Sequence, residues 1–322
     1  MITIAGAGLA GLTSALELAR RGASVRVYDI GSYVGENSVA RFAGGMLAPW
    51  CERESAEEDV ITLGAQAAEW WADITPVFRR GTLVVAPPRD RADLIRFARR
   101  TRGYCELSSP EIAELEPALS GRFSRGLFFH QEAHLDPRRA LRDLASAVQD
   151  IGVELCLNTP APAHVDLDCT GIAATVPHLR PVRGEMAILH SDEVDITRTV
   201  RLLHPRMPLY LVPRQGGVYM IGGTMIESSS TRAPTVRSLS ELLGAAFALH
   251  PAFAEASVIE TGAGVRPAFP DNLPRLERHG RTLFLNGLYR HGFLLAPAMA
   301  AQVVQHLIPE GSHENFRERT TA

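Results

Sequence analysis

The first thirty residues leave this chain little freedom in how it folds. Ile2-Thr3-Ile4-Ala5 is a short apolar strand, and Gly6-Ala7-Gly8-Leu9-Ala10-Gly11 follows at once. The run LTSALELARRG then has helical spacing and stops at Gly22, and SVRVYD alternates before ending on Asp29. Strand, glycine turn, helix, strand and terminal acid form the opening unit of a dinucleotide-binding α/β fold. Gly6 allows the tight turn, Gly8 lets the backbone approach a pyrophosphate, and Gly11 lets helix and strand pack closely. The N-terminus of the helix that follows then faces the phosphates with free N–H groups and a favourable dipole. Asp29 is placed to accept from a ribose hydroxyl, which suits a free 2′-OH and repels a 2′-phosphate. The bland alternative is a tight turn in an ordinary α/β unit.

The rest of the chain bounds what that unit serves. With 322 residues, 46% of them hydrophobic, there is material for two domains. A formal net charge of -3 argues against nucleic acid as a main partner, though local arginines can still hold a small anion. Cys51, Cys105, Cys156 and Cys169 lie far apart and make neither a zinc set nor a disulfide framework. No metal is expected. Free cysteines, and a first strand with no basic leader before it, point to the cytoplasm. No apolar run reaches the length of a membrane span.

Further along, Arg41-Phe42-Ala43-Gly44-Gly45-Met46-Leu47-Ala48-Pro49 sets two adjacent glycines before small apolar residues. This suits close packing against something flat: a flavin ring is one candidate, a plain turn the other. Residues 55 to 74 read as one helix ending near Trp70 and Trp71, which belong to the core or its edge. GTLVVAPP is a strand and DRADLIRFARR an amphipathic helix; SSPEIAELEPAL starts a short helix with Ser109 as its cap. Asp136-Pro137 begins a helix that runs to Gly152. VDLDCTG is a strand that returns to the parallel sheet and turns at Thr170-Gly171, with Cys169 as a small buried residue. After Pro181 the stretches RGEMAILH, LYLVPRQGGVYMIGG and SVIETGAGVRPAF read as antiparallel strands, with helix SLSELLGAAFALHPAF before the last. The chain then passes through RTLFLNGLYRHGFLLAP to a final helix opened by Pro297.

Two arginines and a tyrosine stand out for chemistry. Arg290 sits in the apolar run LYRHGFLLAP, where a permanent charge needs a partner. It follows a strand, where ligands lie in dinucleotide folds, so a bound carboxylate and a surface acid are equal readings. Arg266, in GAGVRPAF, poses the same question. Tyr210, in PLYLVPR, brings a phenolic hydroxyl into an apolar strand. No pair of acids is spaced for general acid/base work.

The motifs GAGLAG, AGGMLAP, VDLDCTGIA, RGEM, YLVPRQGGVYMIGGTM, GAGVRPAFPDNLP and NGLYRHGFLLAPA occur in this order from the first strand to the last helix. Together they resemble the D-amino-acid oxidase and glycine oxidase group of flavoproteins, above all the glycine oxidases of thiamine biosynthesis. The resemblance implies an α/β fold, D-amino-acid oxidase-like. An FAD-binding Rossmann-like domain takes residues 1–75, 127–180 and 262–322. A second, antiparallel-sheet (α+β) substrate domain takes 76–126 and 181–261.

The resemblance also implies non-covalent FAD. Gly6, Gly8, Leu9, Ala10, Gly11 and Asp29 would hold its nucleotide end. Gly44, Gly45, Met46, Thr170 and Gly171 would also bind the cofactor. Arg266, His291, Gly292, Phe293 and Leu294 would lie near the ring, with backbone donors at the helix start facing the flavin N1–C2=O edge. By the same likeness Arg290 clamps the substrate carboxylate, Tyr210 helps to hold it, Arg266 is a further active-site arginine and Met225 lines the pocket. The partner of Arg290 is then the substrate and not another side chain. The implied reaction sends a hydride from Cα to flavin N5. The imine is hydrolysed to a 2-oxo acid and ammonia, or released for thiazole synthesis, and oxygen takes the electrons as peroxide. Glycine or another small amino acid is the implied substrate. A broader D-amino-acid oxidase, or a dehydrogenase with another electron acceptor, is the alternative, and a homo-oligomer is implied.

Three departures from the group are visible. Only NTPAPAH separates VELCL from VDLDCTG, where relatives carry extra strands over the adenosine, so FAD is expected to be held more loosely. Asp29 stands where many relatives have glutamate. No cysteine lies in 288–297, which excludes a cysteinyl flavin link there.

Overall fold

The computed structural model describes residues 1–54, 58–204 and 208–308. A six-stranded sheet carries the N-terminal unit. Its strands run in the order Arg275–His279, Thr282–Asn286, Leu167–Asp168, Ile2–Ala5, Val25–Tyr28, Glu154–Cys156. All neighbours are parallel except the first hairpin. Ile2–Ala5 is central, with Val25–Tyr28 on one side and Leu167–Asp168 on the other. The chain therefore leaves it in one direction and returns on its opposite side, which opens a crevice at its C-terminal end. Helices Leu9–Arg20, Pro137–Asp150 and Gly292–Leu307 bury Leu12, Leu16, Leu144 and Leu295 against Ile4, Val27, Leu167 and Leu285 of the sheet.

A nine-stranded sheet forms the second layer. Its long pair, Arg180–His190 with Ser257–Ala268, is antiparallel with one register shift between Ile188 and Leu189. On the other side of Arg180–His190 follow Val218–Gly222, Leu209–Pro213, Thr199–Leu202, Thr82–Val85, Arg125–Phe129 and Cys105–Ser108. The sheet is not wholly antiparallel: Thr199–Leu202 runs parallel to Thr82–Val85, because a separate excursion of the chain delivers each strand. Strand alternation divides its residues. Leu209, Leu211, Tyr219 and Ile221 meet Leu242, Ala246 and Leu249 of helix Val236–Leu249, while Val212 and Met220 turn towards Phe42 and Met46. The limits expected at 126/127 and 261/262 fall inside strands Arg125–Phe129 and Ser257–Ala268 of this sheet.

Local readings differ from the sequence in three places. The helix expected over 55–74 is two helices, Glu58–Gly64 and Ala67–Ala72; residues 55–57 lie outside the described residues. Gly64 explains the break, since a Cβ there would come within 2.7 Å of the Leu294 side chain, and glycine is a weak helix former. The short helix at 109 is capped by Ser108, whose N–H meets Glu111 at 2.7 Å, and not by Ser109. The last helix starts at Gly292, so Pro297 lies inside it. Proline has no N–H for the carbonyl four residues back. That carbonyl, Phe293 O, accepts instead from Trp71 Nε1 at 2.7 Å. No described helix is long and apolar enough to cross a membrane.

Candidate active site

One cavity of about 560 Å³ runs from the C-terminal ends of the parallel strands to the inner face of the nine-stranded sheet. Every candidate named from the sequence lines it except Gly11. A Cβ at Gly11 would lie 1.9 Å from Gly6 O, so this glycine serves helix–strand packing and not ligand contact. Gly6 has φ +96°, and a Cβ there would meet Cys169 O at 2.7 Å. The turn is thus closed to any side chain. Asp29 holds it shut from the other side, accepting from Ala7 N and Gly31 N, both at 2.7 Å. Each carboxylate oxygen keeps a lone pair for a further donor.

Two helix N-termini open into the same cavity. In Leu9–Arg20 the first helical bond is Leu12 N to Gly8 O; in Gly292–Leu307 it is Leu295 N to His291 O. Neither end has an acid in its first turn or a side-chain cap. The earlier N–H groups of both helices are therefore unspent by the helix and favour negative charge. Between them Gly44 and Gly45 form one wall. Gly45 has φ +76° and no room for a Cβ, which would sit 2.3 Å from Leu135 O. Arg214 ties this wall down by donating to Gly44 O at 2.8 Å and Leu135 O at 3.2 Å. Thr170 and Gly171 line the opposite side, with Thr170 fixed by Asp168. An elongated ligand with a pyrophosphate near one helix start and an electron-rich ring edge near the other fits this arrangement.

The far end of the cavity holds the charged groups. Arg266 lies on strand Ser257–Ala268, directly over Gly184. A Cβ at Gly184 would stand 2.1 Å from the guanidinium carbon, so any side chain there would make the arginine shift from this position. Arg266 donates to Thr224 O at 3.0 Å and faces no carboxylate partner among the described residues. Burial pulls its pKa down, as for a cation awaiting an anion. The Tyr210 hydroxyl lines the same space; burial pushes its pKa up to about 12, so it stays protonated.

Arg290 behaves differently from expectation. Its partner is a side chain, Glu52, at the end of the one-turn helix Pro49–Glu52. Its other nitrogen lies 3.6 Å from Met225 Sδ, and Met225 itself is half exposed. Burial alone would raise Glu52, yet Arg290, His291 and Arg201 hold it down at about 2. His291 Nδ1 is 3.5 Å from the same carboxylate. Burial outweighs that attraction and lowers the imidazole to about 4, leaving a neutral residue at the head of the last helix. Beside them Arg201 pairs with Glu54 at 3.2 Å and lies over the Tyr210 ring at 5.0 Å. Sequence reasoning missed Glu52, Glu54, Arg201 and Gly184. Glu52 and Glu54 follow the glycine run within ten residues, and Gly184 is the glycine of RGEM; these were the only available signals.

A crevice at the ends of the parallel strands, continuous with a cavity lined by Arg201, Arg266 and Arg290, suits a flavin-dependent oxidoreductase. The chain belongs to the FAD-dependent oxidoreductase (DAO) family, which it matches over residues 1–306; it is an enzyme, and FAD is its cofactor. A Rhizobium etli protein assigned as the thiamine biosynthesis oxidoreductase ThiO is 56% identical over 317 residues, covering 96% of this chain and 97% of that one. The glycine oxidase of Bacillus subtilis is 27% identical over 227 residues, 61% of this chain and 60% of that protein. The crystal structure of glycine oxidase from Geobacillus kaustophilus shares the fold, with a TM-score of 0.81 at 22% identity over 94% of this chain and 93% of that one.

Proposed function

We propose that this protein oxidises glycine or another small amino acid in thiamine biosynthesis. One observation carries the reading: a half-buried arginine, Arg266, that faces no acid among the described residues, beside a protonated tyrosine, Tyr210, in the cavity proposed for FAD. The six-stranded sheet with its helices forms the FAD-binding unit, and the nine-stranded sheet the substrate unit.

In this reading Arg266, and not Arg290, clamps the carboxylate with its planar fork. Tyr210 donates a second hydrogen bond to it. Gly184 gives the arginine its seat. Met225 and the Arg290–Glu52 pair form the wall beyond the carboxylate, and Gly44, Gly45 and Met46 floor the ring site. The first turn of Gly292–Leu307 sets positive potential against the far edge of the ring. Bound FAD would supply the acceptor for the hydride from the amino-acid Cα. The protein's own contribution is orientation and exclusion of water. Tyr210 keeps its proton and Glu52 is spent on Arg290, so in this reading none of these side chains serves as base and the amine enters neutral. The balanced overall reaction is glycine + O2 + H2O to glyoxylate + NH3 + H2O2, or release of the imine before hydrolysis.

The test is direct. Purified yellow enzyme is mixed with glycine, sarcosine and D-alanine under air, and flavin absorbance and peroxide are followed. Bleaching with peroxide from glycine, at least matching D-alanine, supports the reading. Bleaching without peroxide assigns a different electron acceptor. No bleaching by any amine overturns it.

A further inference from the structure

We propose that the Glu52–Arg290 pair fixes the number of carboxylates the site accepts at one. The inference rests on the amino-acid reading above and narrows its substrate class to amines bearing a single carboxylate.

The charged groups around the substrate end settle into pairs. Arg183 and Glu185 are bonded at 2.6 Å and are almost wholly buried. Arg201 is matched by Glu54 at 3.2 Å, which Arg100 also approaches at 3.5 Å from the exposed side. Arg290 is matched by Glu52. Arg266 alone, among the described residues lining the cavity, has no facing acid. The pocket thus presents one uncompensated positive charge, and a buried charge of that kind calls for one anion.

A second carboxylate on the substrate would reach the Arg290 side and meet Glu52. Glu52 is held anionic by Arg290 and Arg201, so repulsion persists through the neutral range. Arg290 is therefore a cation already answered. Without the Glu52 charge, the same cavity would offer Arg290 as a second cationic anchor beside Arg266. Iminodiacetate, glycine with a second carboxymethyl group on nitrogen, is the kind of dicarboxylate such a site would take.

The experiment uses the FAD-loaded enzyme and two unreactive probes, acetate and malonate, with affinities read by calorimetry and by perturbation of the flavin spectrum. Wild type is expected to prefer acetate. Glu52→Gln keeps the shape and an acceptor for Arg290 but removes the charge; it should shift the malonate-to-acetate affinity ratio by roughly tenfold or more towards malonate. The double variant Glu52→Gln with Arg290→Gln should return the ratio to near wild type. Arg290→Gln alone leaves Glu52 without that arginine and should weaken acetate, by roughly tenfold. An unmoved ratio in Glu52→Gln overturns the inference, as does a malonate gain that survives in the double variant. Should Glu52→Gln fail to hold FAD, unchanged acetate affinity in Arg290→Gln overturns it instead. Turnover of glycine by wild type is run alongside. If glycine is oxidised and the ratio does not move, only this inference fails; if the ratio moves and no amine is oxidised, only the amino-acid reading fails.

Discussion

Trp71 Nε1 donates to Phe293 O at 2.7 Å, across 222 positions of the chain. The bond answers Pro297, which sits four residues past Phe293 and has no N–H to give. Both groups are buried, so either one left alone carries a desolvation cost. Trp71→Phe should lower stability by about 1–3 kcal/mol beyond the loss of packing. Adding Pro297→Ala restores a backbone donor and should recover part of that loss. Thermal melts of the two single variants and the double variant check this; full additivity would show that the two residues are not coupled.

Arg266 is a half-buried cation that faces no acid among the described residues, so it should cost the empty protein stability and gain by binding an anion. Arg266→Leu should leave the melting temperature unchanged or raise it. The same change should weaken binding of acetate and glycine by about 2–5 kcal/mol. A variant that melts lower and binds acetate normally would place the arginine in the structural framework.

Gly184 supports Arg266 with no side chain of its own. In Gly184→Ala the new methyl would overlap the guanidinium, 2.1 Å from its central carbon. The arginine must move while both sheets keep their pairing. We expect kcat/KM for glycine to fall on the order of 100-fold, with the flavin spectrum retained. Normal kinetics in this variant would show that the guanidinium needs no fixed seat.

Glu132 is fully buried, and one oxygen accepts from Cys51 N at 2.7 Å. Its other oxygen has no hydrogen-bond partner among the described residues. Burial raises its pKa from 4.5 to about 7. The folded state therefore binds this proton more tightly than the unfolded state. Its contribution to stability is full below 4.5 and is lost as pH rises through about 7. Relative to wild type, Glu132→Gln should gain stability across that window and no further above it. Paired melts between pH 5 and 8 decide the point; a constant difference would show that Glu132 does not titrate there.

The parallel sheet was legible because one local segment, Ile2 to Asp29, encodes strand, turn, helix and strand in sequence. The glycines there are spaced by backbone geometry, and backbone geometry is local. The long strands after Pro181 were legible for the same reason, through alternation. The charge pairing was not. Glu52 and Arg290 are 238 residues apart, and nothing near either one specifies the other. Only the tertiary fold brings Glu52, at the end of its one-turn helix, to Arg290, just ahead of the last helix. Arg266 and Arg290 look alike in sequence, each just after a strand; they differ only in whether an acid from elsewhere arrives. The start of the last helix was misplaced because proline favours a helix's first turn. The donor that excuses Pro297 from that rule belongs to Trp71, in another helix.

The cavity that takes FAD draws its two helix starts from opposite ends of the chain, residues 9–11 and 292–294. During synthesis the glycine turn leaves the ribosome early, but the second anchor arrives only after almost the whole chain is made. In the FAD placement proposed above, a nascent chain that has folded its first βαβ unit still lacks the second helix start. A chain stopped short of the last helix should therefore fail to keep the flavin and be colourless.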